Sequence, residues 1–359
     1  MPGNNAVALD WPDVVAADLW GYNVYRGTAS GGPYTRLNGT TPVAISAYDD
    51  TTAVNGTAYF YVVRSVDTAG NLSGDSGETP ATPVADFAYM DGGTLHVDYT
   101  SEGNTVAIAL NGGNVDVTQD ATTISFALGG IASIAIAGTA GNDTLDFTGP
   151  LTVPVTFNGG TGIDQLNVKA GTFTFTGDAV ATTQNLGVAV DAGATVVFDA
   201  TQHLDSLVID GLATLTAGDA KVLVTKSLDA TDGKLDLADN DLVIDYSGVS
   251  PVGAWAAGAY DGITGRVQAG RNGGAWDGAS GIVTSLGGAN DLKTLAVAEA
   301  TDALGLAATA TALFSGETVD GTSVLVKYTW GGDANLDGKI NVDDYGVIDF
   351  NVSAQDQIL

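Results

Sequence analysis

The chain has no cysteine and only two histidines, and its 12 lysine and arginine residues face 42 aspartates and glutamates. Without cysteine there are no disulfide staples and no thiolate chemistry. With no cluster of basic residues, nothing can neutralise a phosphate backbone, which excludes nucleic acid as a partner. The net charge of −30 would be repelled by an anionic membrane surface. No apolar run reaches the length of a membrane span, so membrane insertion is not expected. The N-terminal "MPGNNAVALDW" shows neither the basic segment nor the hydrophobic core of a leader. The chain is therefore read either as cytoplasmic or as a fragment or processed form of a longer exported protein. Its modular content favours the fragment.

What is present is core-forming material: 45% of the 359 residues are hydrophobic, enough for two or three domains. Acidic residues are spread along the chain, which points to a solvated surface, cation sites, or both. Residues 1–83 read as short strands with turn signals, among them "AVALDW", "GYNVYR" and "TAYFYVVRSVD". In the last of these, alternation places Tyr59, Tyr61, Val63 and Ser65 on one face and Phe60, Val62 and Arg64 on the other. Trp11 and Tyr22 are expected to fill the facing sheet. Trp11, "GYNVYR" (21–26), "AYFYVV" (58–63) and "DTAGNLS" (67–73) resemble a fibronectin type III domain. The resemblance implies a β-sandwich with Tyr59 at its tyrosine corner. It also implies a first strand that the chain starts without, supplied upstream or by another chain.

After a Pro/Thr/Ser linker, "SGETPATPVADF", the stretch 84–250 consists of short β-branched runs between Gly/Asp/Asn turns. An internal repeat is visible: "IAGTAGNDTLDF" (136–147) overlays "FNGGTGIDQLNV" (157–168) at an offset of 21, and "EGNTVAIA" (102–109) is a degenerate copy. Stacked repeats of this length predict a parallel β-helix-like solenoid, with antiparallel sandwiches as the alternative. Within the repeat, "GGTGIDQLN" (159–167) and "GTAGNDTLD" (138–146) resemble the calcium β-roll nonapeptide. That resemblance implicates Asp143 and Asp164 as calcium ligands between rungs. The alternative is that both cap turns in a metal-free helix, since the copies lie 21 residues apart rather than nine. Residues 251–330 are expected to cap the solenoid. From "ATQHLDSLVIDG" onward the chain resembles the C-terminal part of large modular bacterial exoproteins.

The closing segment 331–359 carries the most specific motif, "GGDANLDGKINVDDYGVIDFNV". Counted from Asp333, oxygen-bearing side chains fall at positions one (Asp333), three (Asn335), five (Asp337), nine (Asn341) and twelve (Asp344). Gly338 stands at six, where the loop turns sharply, Lys339 at seven would offer its carbonyl, and Ile340 at eight an apolar anchor. This is the ligand order of an EF-hand calcium loop, whose hard oxygens converge on Ca2+. With Asp at twelve and no helix pattern before the loop, it resembles a single dockerin type I repeat. That resemblance implies a bidentate Asp344 and a short helix after the loop, with Tyr345 and Ile348 packing inward.

Signals for catalysis are sparse. His96 and His203 have no second ligand at metal spacing, and no GxSxG, HExxH or P-loop motif occurs. A lyase would need a basic residue such as Lys169, Lys221 or Lys226, and chance acid pairs such as Asp241 and Asp245 carry little weight among 42 acids. In "GRNGGAWDG" (270–278), Arg271 and Trp276 are the candidate ligand-binding residues, with Trp255 as a second sugar-stacking ring and cap packing as the alternative. The expectation is an all-β, non-catalytic, calcium-stabilised structural or adhesive protein of the bacterial cell surface or secretome. Its expected partners are other copies of itself or other extracellular proteins. A self-assembling fibre subunit and a polysaccharide-binding or polysaccharide-cleaving β-helix are the alternatives.

Overall fold

The computed structural model describes all residues except Met1, Asn4, Ala179, Ala181, Thr182, Asp219, Ala220, 288–291, Ala308 and 346–359. The chain divides into two compact units, Met1–Phe87 and Ala88–Leu359.

The first unit is a sandwich of two antiparallel sheets. Strands β1 (Pro2–Gly3), β2 (Ala6–Asp10) and β5 (Ala47–Asp50) form one sheet in the order β1-β2-β5. Strands β3 (Leu19–Gly27), β4 (Thr35–Arg36), β6 (Tyr59–Asp67) and β7 (Thr79–Ala81) form the other, in the order β4-β3-β6-β7. This three-plus-four arrangement is that of the fibronectin type III sandwich, and a two-residue strand, β1, occupies the outer edge of the smaller sheet. Tyr59 and Tyr61 point into the core with Val7 and Ala53, as alternation predicts. The Tyr59 hydroxyl accepts the Val54 amide at 3.2 Å, closing the corner expected there. Tyr22, however, lies in the same sheet as β6 and not in the facing one, because β3 and β6 pair directly (Tyr22 opposite Ser65). Trp11 meets it edge-on at 5.4 Å.

The second unit winds as a coil. Its strands β8 (Ala88–Asp91), β9 (Thr94–Asp98), β10 (Thr105–Asn111), β11 (Asn114–Gln119), β12 (Thr122–Ala127), β13 (Ser133–Ala137), β14 (Thr144–Thr148), β15 (Val155–Asn158) and β16 (Asp164–Ala170) lead into β17 (Thr172–Phe175) and β18 (Leu186–Val190). Then follow β19 (Thr195–Phe198), β20 (Gln202–Ile209), β21 (Leu212–Leu215), β22 (Val222–Asp229), β23 (Lys234–Asp236) and β24 (Asp241–Asp245). Strands β10, β14, β16, β18, β20, β22 and β24 pair in parallel, one rung on the next, to form one face. Strands β9, β13 and β15, and then β17, β19, β21 and β23, pair in parallel on the odd face, so the topology is that of a parallel β-helix. The repeat at offset 21 is one rung: Ile136 pairs with Phe157 and Leu145 with Leu166. "EGNTVAIA" stands 39 residues from its partner (Thr105 opposite Thr144) because the hairpin β11–β12 is inserted between them.

Alternation sends every second side chain inward, and identical positions stack. Ile108, Phe147, Val168, Val190 and Ile209 form one such buried column. Phe147, Phe173, Phe175 and Phe198 continue the core across to the other face, with successive rings 5.0–5.4 Å apart. The odd face is split. β15 belongs to the sheet β15-β13-β9-β8 and β17 to the sheet β17-β19-β21-β23, which ends on β27 (Gly281–Val283), with no ladder between the two sheets. The cause is local: residues 149–154 separate β14 from β15, whereas Gly171 alone separates β16 from β17. The chain thus turns its corner at a different point in the two rungs, leaving clefts of about 280 and 260 Å³ along the seam.

Past β24 come the hairpin β25 (Trp255–Ala256)–β26 (Ala259–Tyr260), helix α1 (Gly262–Arg271), β27 (Gly281–Val283), β28 (Lys293–Glu299) and helix α2 (Ala300–Ala303). The hairpin β29 (Thr311–Phe314)–β30 (Glu317–Asp320) and strand β31 (Ser323–Trp330) complete the described strands. β31 pairs antiparallel with β24, and β28 with β31. Both ends of the parallel ladder are therefore closed by antiparallel strands, which keeps its edges from templating further parallel pairing.

Candidate functional site

The closing loop follows β31 directly. Gly338 has φ +87°, the left-handed turn that position six requires. Asp333 and Asp344, the first and twelfth positions, are both buried. Asp333 Oδ1 accepts the Asp337 amide (3.0 Å), and its Oδ2 accepts the Gly338 amide (2.8 Å) and the Thr329 hydroxyl. Asp344 Oδ1 accepts the amides of Ala334 (2.9 Å) and Asn335 (3.3 Å), and Oδ2 that of Asn341 (2.7 Å). Burial pushes the Asp344 pKa up, but the amides of Asn341, Asn335 and Ala334 outweigh it, and the net shift is downward. Asn335, Asp337 and Asn341 turn their side-chain oxygens onto the amides of Asp337, Lys339 and Asp343 at 2.8–3.0 Å.

Three carboxylates, two amide oxygens and the Lys339 carbonyl make a hard-oxygen set of the kind calcium takes. Among the described residues, though, no three acidic or histidine side chains are gathered closely enough to hold a metal. The donors fit the ion in chemistry and order, and in this structure they are satisfied by the loop's own amides.

The loop's apolar anchor is not the expected one. Ile340 is half-exposed and Tyr345 is 61% exposed, so neither packs inward. Leu336, at loop position four and φ +58°, instead inserts into the cluster of Val222, Val224, Val243, Phe314, Val319 and Leu325. Phe314 and Val319 of that cluster come from the β29–β30 hairpin. Ile348 and most of the expected helix lie outside the described residues.

Asp143 and Asp164 sit one above the other inside the coil, at 0% and 1% exposure. Asp143 accepts the Asn104 amide (3.1 Å) on Oδ1 and the Thr139 amide (2.6 Å) and hydroxyl (2.9 Å) on Oδ2. Asp164 Oδ1 accepts the Asp143 amide (3.0 Å), but its Oδ2 is buried without a partner. Sequence explains the difference: Gly160 stands where the previous rung has Thr139, and its amide goes to Asn158 Oδ1 instead (3.1 Å). Burial pushes the Asp164 pKa up; the Asp143 amide lowers it, the Asp143 charge raises it, and the result is a raised value. The glycines of the motif are needed for close approach, since a methyl group on Gly159 would lie 2.1 Å from Asp164 Oδ2.

Trp276 does not offer a stacking surface. It is 6% exposed, and a methyl group on Gly287 would come within 2.4 Å of its ring. Its amide donates to the carbonyl of Arg271, whose residue is exposed at the end of α1. The bend at 272–276, with Asn272 and Trp276 both at positive φ, folds the tryptophan inward and away from Arg271's solvent side. Trp255, at 57% exposure, remains open beside Tyr260 (4.9 Å) at the tip of the β25–β26 hairpin.

The candidate bases are engaged. Lys169 pairs with Asp146 (2.7 Å), Lys226 with Asp205 (2.9 Å), and Lys221 donates to the Thr216 carbonyl (2.7 Å). Asp241 pairs with Lys327 (2.9 Å). His96 stacks on Tyr89 at 5.2 Å. His203 is the residue that sequence reasoning undervalued: Nδ1 lies 2.5 Å from Asp178 and Nε2 3.1 Å from Glu317. These partners are 25 and 114 residues away, beyond the reach of any local pattern.

No family model matches the chain. An amylopullulanase of Thermoanaerobacterium saccharolyticum is 34% identical over 96 residues, 27% of this chain and 7% of that protein. Exoglucanase B of Cellulomonas fimi is 37% identical over 99 residues, 27% of this chain and 8% of that protein. The chain thus spans under a tenth of the length of either relative. Among solved structures, a Fn3-like protein from Clostridium thermocellum aligns at 33% identity over 24% of this chain and 82% of its own, with a TM-score of 0.19. A pectate lyase of Pectobacterium carotovorum aligns at 15% identity over 68% of this chain and 78% of its own, with a TM-score of 0.18. In sequence, then, about a quarter of this chain resembles a short segment of an amylopullulanase and of an exoglucanase, and about a quarter resembles a Fn3-like protein.

Proposed function

We propose that this chain is a non-catalytic structural part of a secreted or cell-surface bacterial modular protein, and that calcium stabilises it through the closing loop. Its work is to present or anchor surface material, with further copies of itself or other extracellular proteins as partners. The observation that carries the reading is Leu336. By planting this side chain under β31 and the β29–β30 hairpin, the loop makes its own order part of the coil's core. An ion held by Asp333, Asn335, Asp337, the Lys339 carbonyl, Asn341 and Asp344 would stabilise the whole second unit by mass action. It would also relieve part of the self-repulsion of the net charge of −30. The turns at Asp143 and Asp164 we read as caps, because their copies stack at an offset of 21 residues rather than nine.

The test is a calcium titration of the melting temperature of the full chain. Calcium at about 100 times its dissociation constant should stabilise the wild type by about 2.7 kcal/mol, and Asp337→Ala should remove most of that gain. No shift in either protein would overturn the calcium reading.

A second reading, association with polysaccharide, draws on the names of the relatives and on the exposed Trp255–Tyr260 pair. Retention of the chain on insoluble starch or cellulose, lost in Trp255→Ala, would favour it; flow-through on both would remove it.

A further inference from the structure

His203 lies at the start of β20, on the even face of the coil, and is partly exposed. Asp178 reaches it from the turn after β17, with Oδ2 on Nδ1 (2.5 Å) and Oδ1 on the His203 amide (3.4 Å). Glu317 reaches the opposite nitrogen, Nε2, from the first residue of β30 (3.1 Å). A neutral imidazole donates from one nitrogen only and would turn a lone pair toward the other carboxylate. Only the imidazolium donates to both.

We propose that Asp178, His203 and Glu317 form a proton-closed latch, in which the His203 imidazolium pins the tip of the β29–β30 hairpin onto the coil and its deprotonation frees that tip.

The surroundings support this role. In the next rung the cross-strand neighbour of His203 is Val224, which is apolar and buried. The nearest acid further along β20, Asp205, is already paired with Lys226. Asp178 and Glu317 are thus the charges that face the ring. Burial lowers the pKa of His203, the hydrogen bonds and charges of Asp178 and Glu317 raise it, and the net direction is upward. Stability tied to this proton is therefore fully present below about pH 6.5, the ordinary histidine value. It is lost as pH rises through the higher folded value.

At the same end the hairpin is also tied through Ser315, which donates to Asp241 Oδ2 and accepts from Lys327 Nζ (3.0 Å), itself paired with Asp241. Its own Phe314 and Val319 are buried in the cluster that holds Leu336. Releasing the latch therefore loosens the roof over the loop's anchor while the coil stays wound.

The chain has two histidines, so proton NMR can separate their signals. His203 should titrate above 6.5, and Glu317→Gln and Asp178→Asn should each lower its pKa by about one unit or more, the usual effect of losing an adjacent opposite charge. Amide hydrogen exchange of Thr318 and Val319, corrected for intrinsic rate, should speed up as pH rises through the His203 value. In His203→Gln it should be fast throughout and independent of pH. Circular dichroism of the Glu317→Gln chain checks that the fold survives. A His203 pKa at or below 6.5, or hairpin exchange that does not follow it, overturns the latch.

Discussion

Both units bury carboxylates, and Asp50 of the sandwich and Asp164 of the coil are treated in opposite ways. In the sandwich, Asp50 receives the Thr52 amide (3.0 Å) and hydroxyl (2.8 Å), the Tyr61 hydroxyl (2.9 Å) and the Arg26 guanidinium (2.7 Å). Burial raises its pKa, but the Thr52, Tyr61 and Arg26 contacts outweigh it and hold it low. In the coil, Asp164 has one oxygen satisfied and one bare, and its pKa is raised. A sandwich brings unrelated strands together, so four donors can be recruited from different parts of the chain. A coil stacks each residue on its own copy, so one missing hydroxyl, Gly160 for Thr139, leaves a hole that no other strand fills.

The comparison can be broken most sharply at Asp50. Asp50→Ala strands the Arg26 and Tyr61 donors in the sandwich and should cost it about 3 kcal/mol, read from its transition in urea unfolding of the full chain. Leu336→Ala should destabilise the second unit by a little less, about 2–3 kcal/mol, and leave the sandwich transition unchanged. An equal loss in both transitions would show that the loop is not anchored where Leu336 places it.

Acid should separate the two carboxylates by sign. Asp50, with its lowered pKa, contributes stability that is present above about pH 3.9 and lost as pH falls through its folded value. Asp164, with its raised pKa, does the reverse: its share is present below about pH 3.9 and lost as pH climbs through the folded value. Asp164→Asn should therefore gain on the order of 1 kcal/mol at pH 7, with the gain vanishing in acid. A stability change independent of pH would show that Asp164 keeps its charge in the coil.

What could be read from the sequence follows from the same contrast. The rung was legible because a coil repeats its chemistry: glycines, aspartates and apolar pairs recur at the spacing of one turn, and the ladder pairs them at that offset. Tyr59 and the position of Gly338 were legible because each occupies a fixed place in a local pattern. Leu336 was not, since a leucine at positive φ in a polar loop gives no sign of facing a core. Nor was the burial of Trp276, which depends on a bend around Asn272 and on the small side of Gly287. His203 was invisible for a simpler reason: its second carboxylate arrives from a hairpin 114 residues later.

The split between β15 and β17 has a mechanical side. On the even face, eleven strands run as one unbroken sheet. On the odd face the sheet stops at β15 and a new one begins at β17. A rod with a continuous spine on one side and a seam on the other is stiff when pulled along the spine. It bends most easily by opening the seam, with the edge-to-face rings of Phe147 and Phe173 as the pivot beneath it.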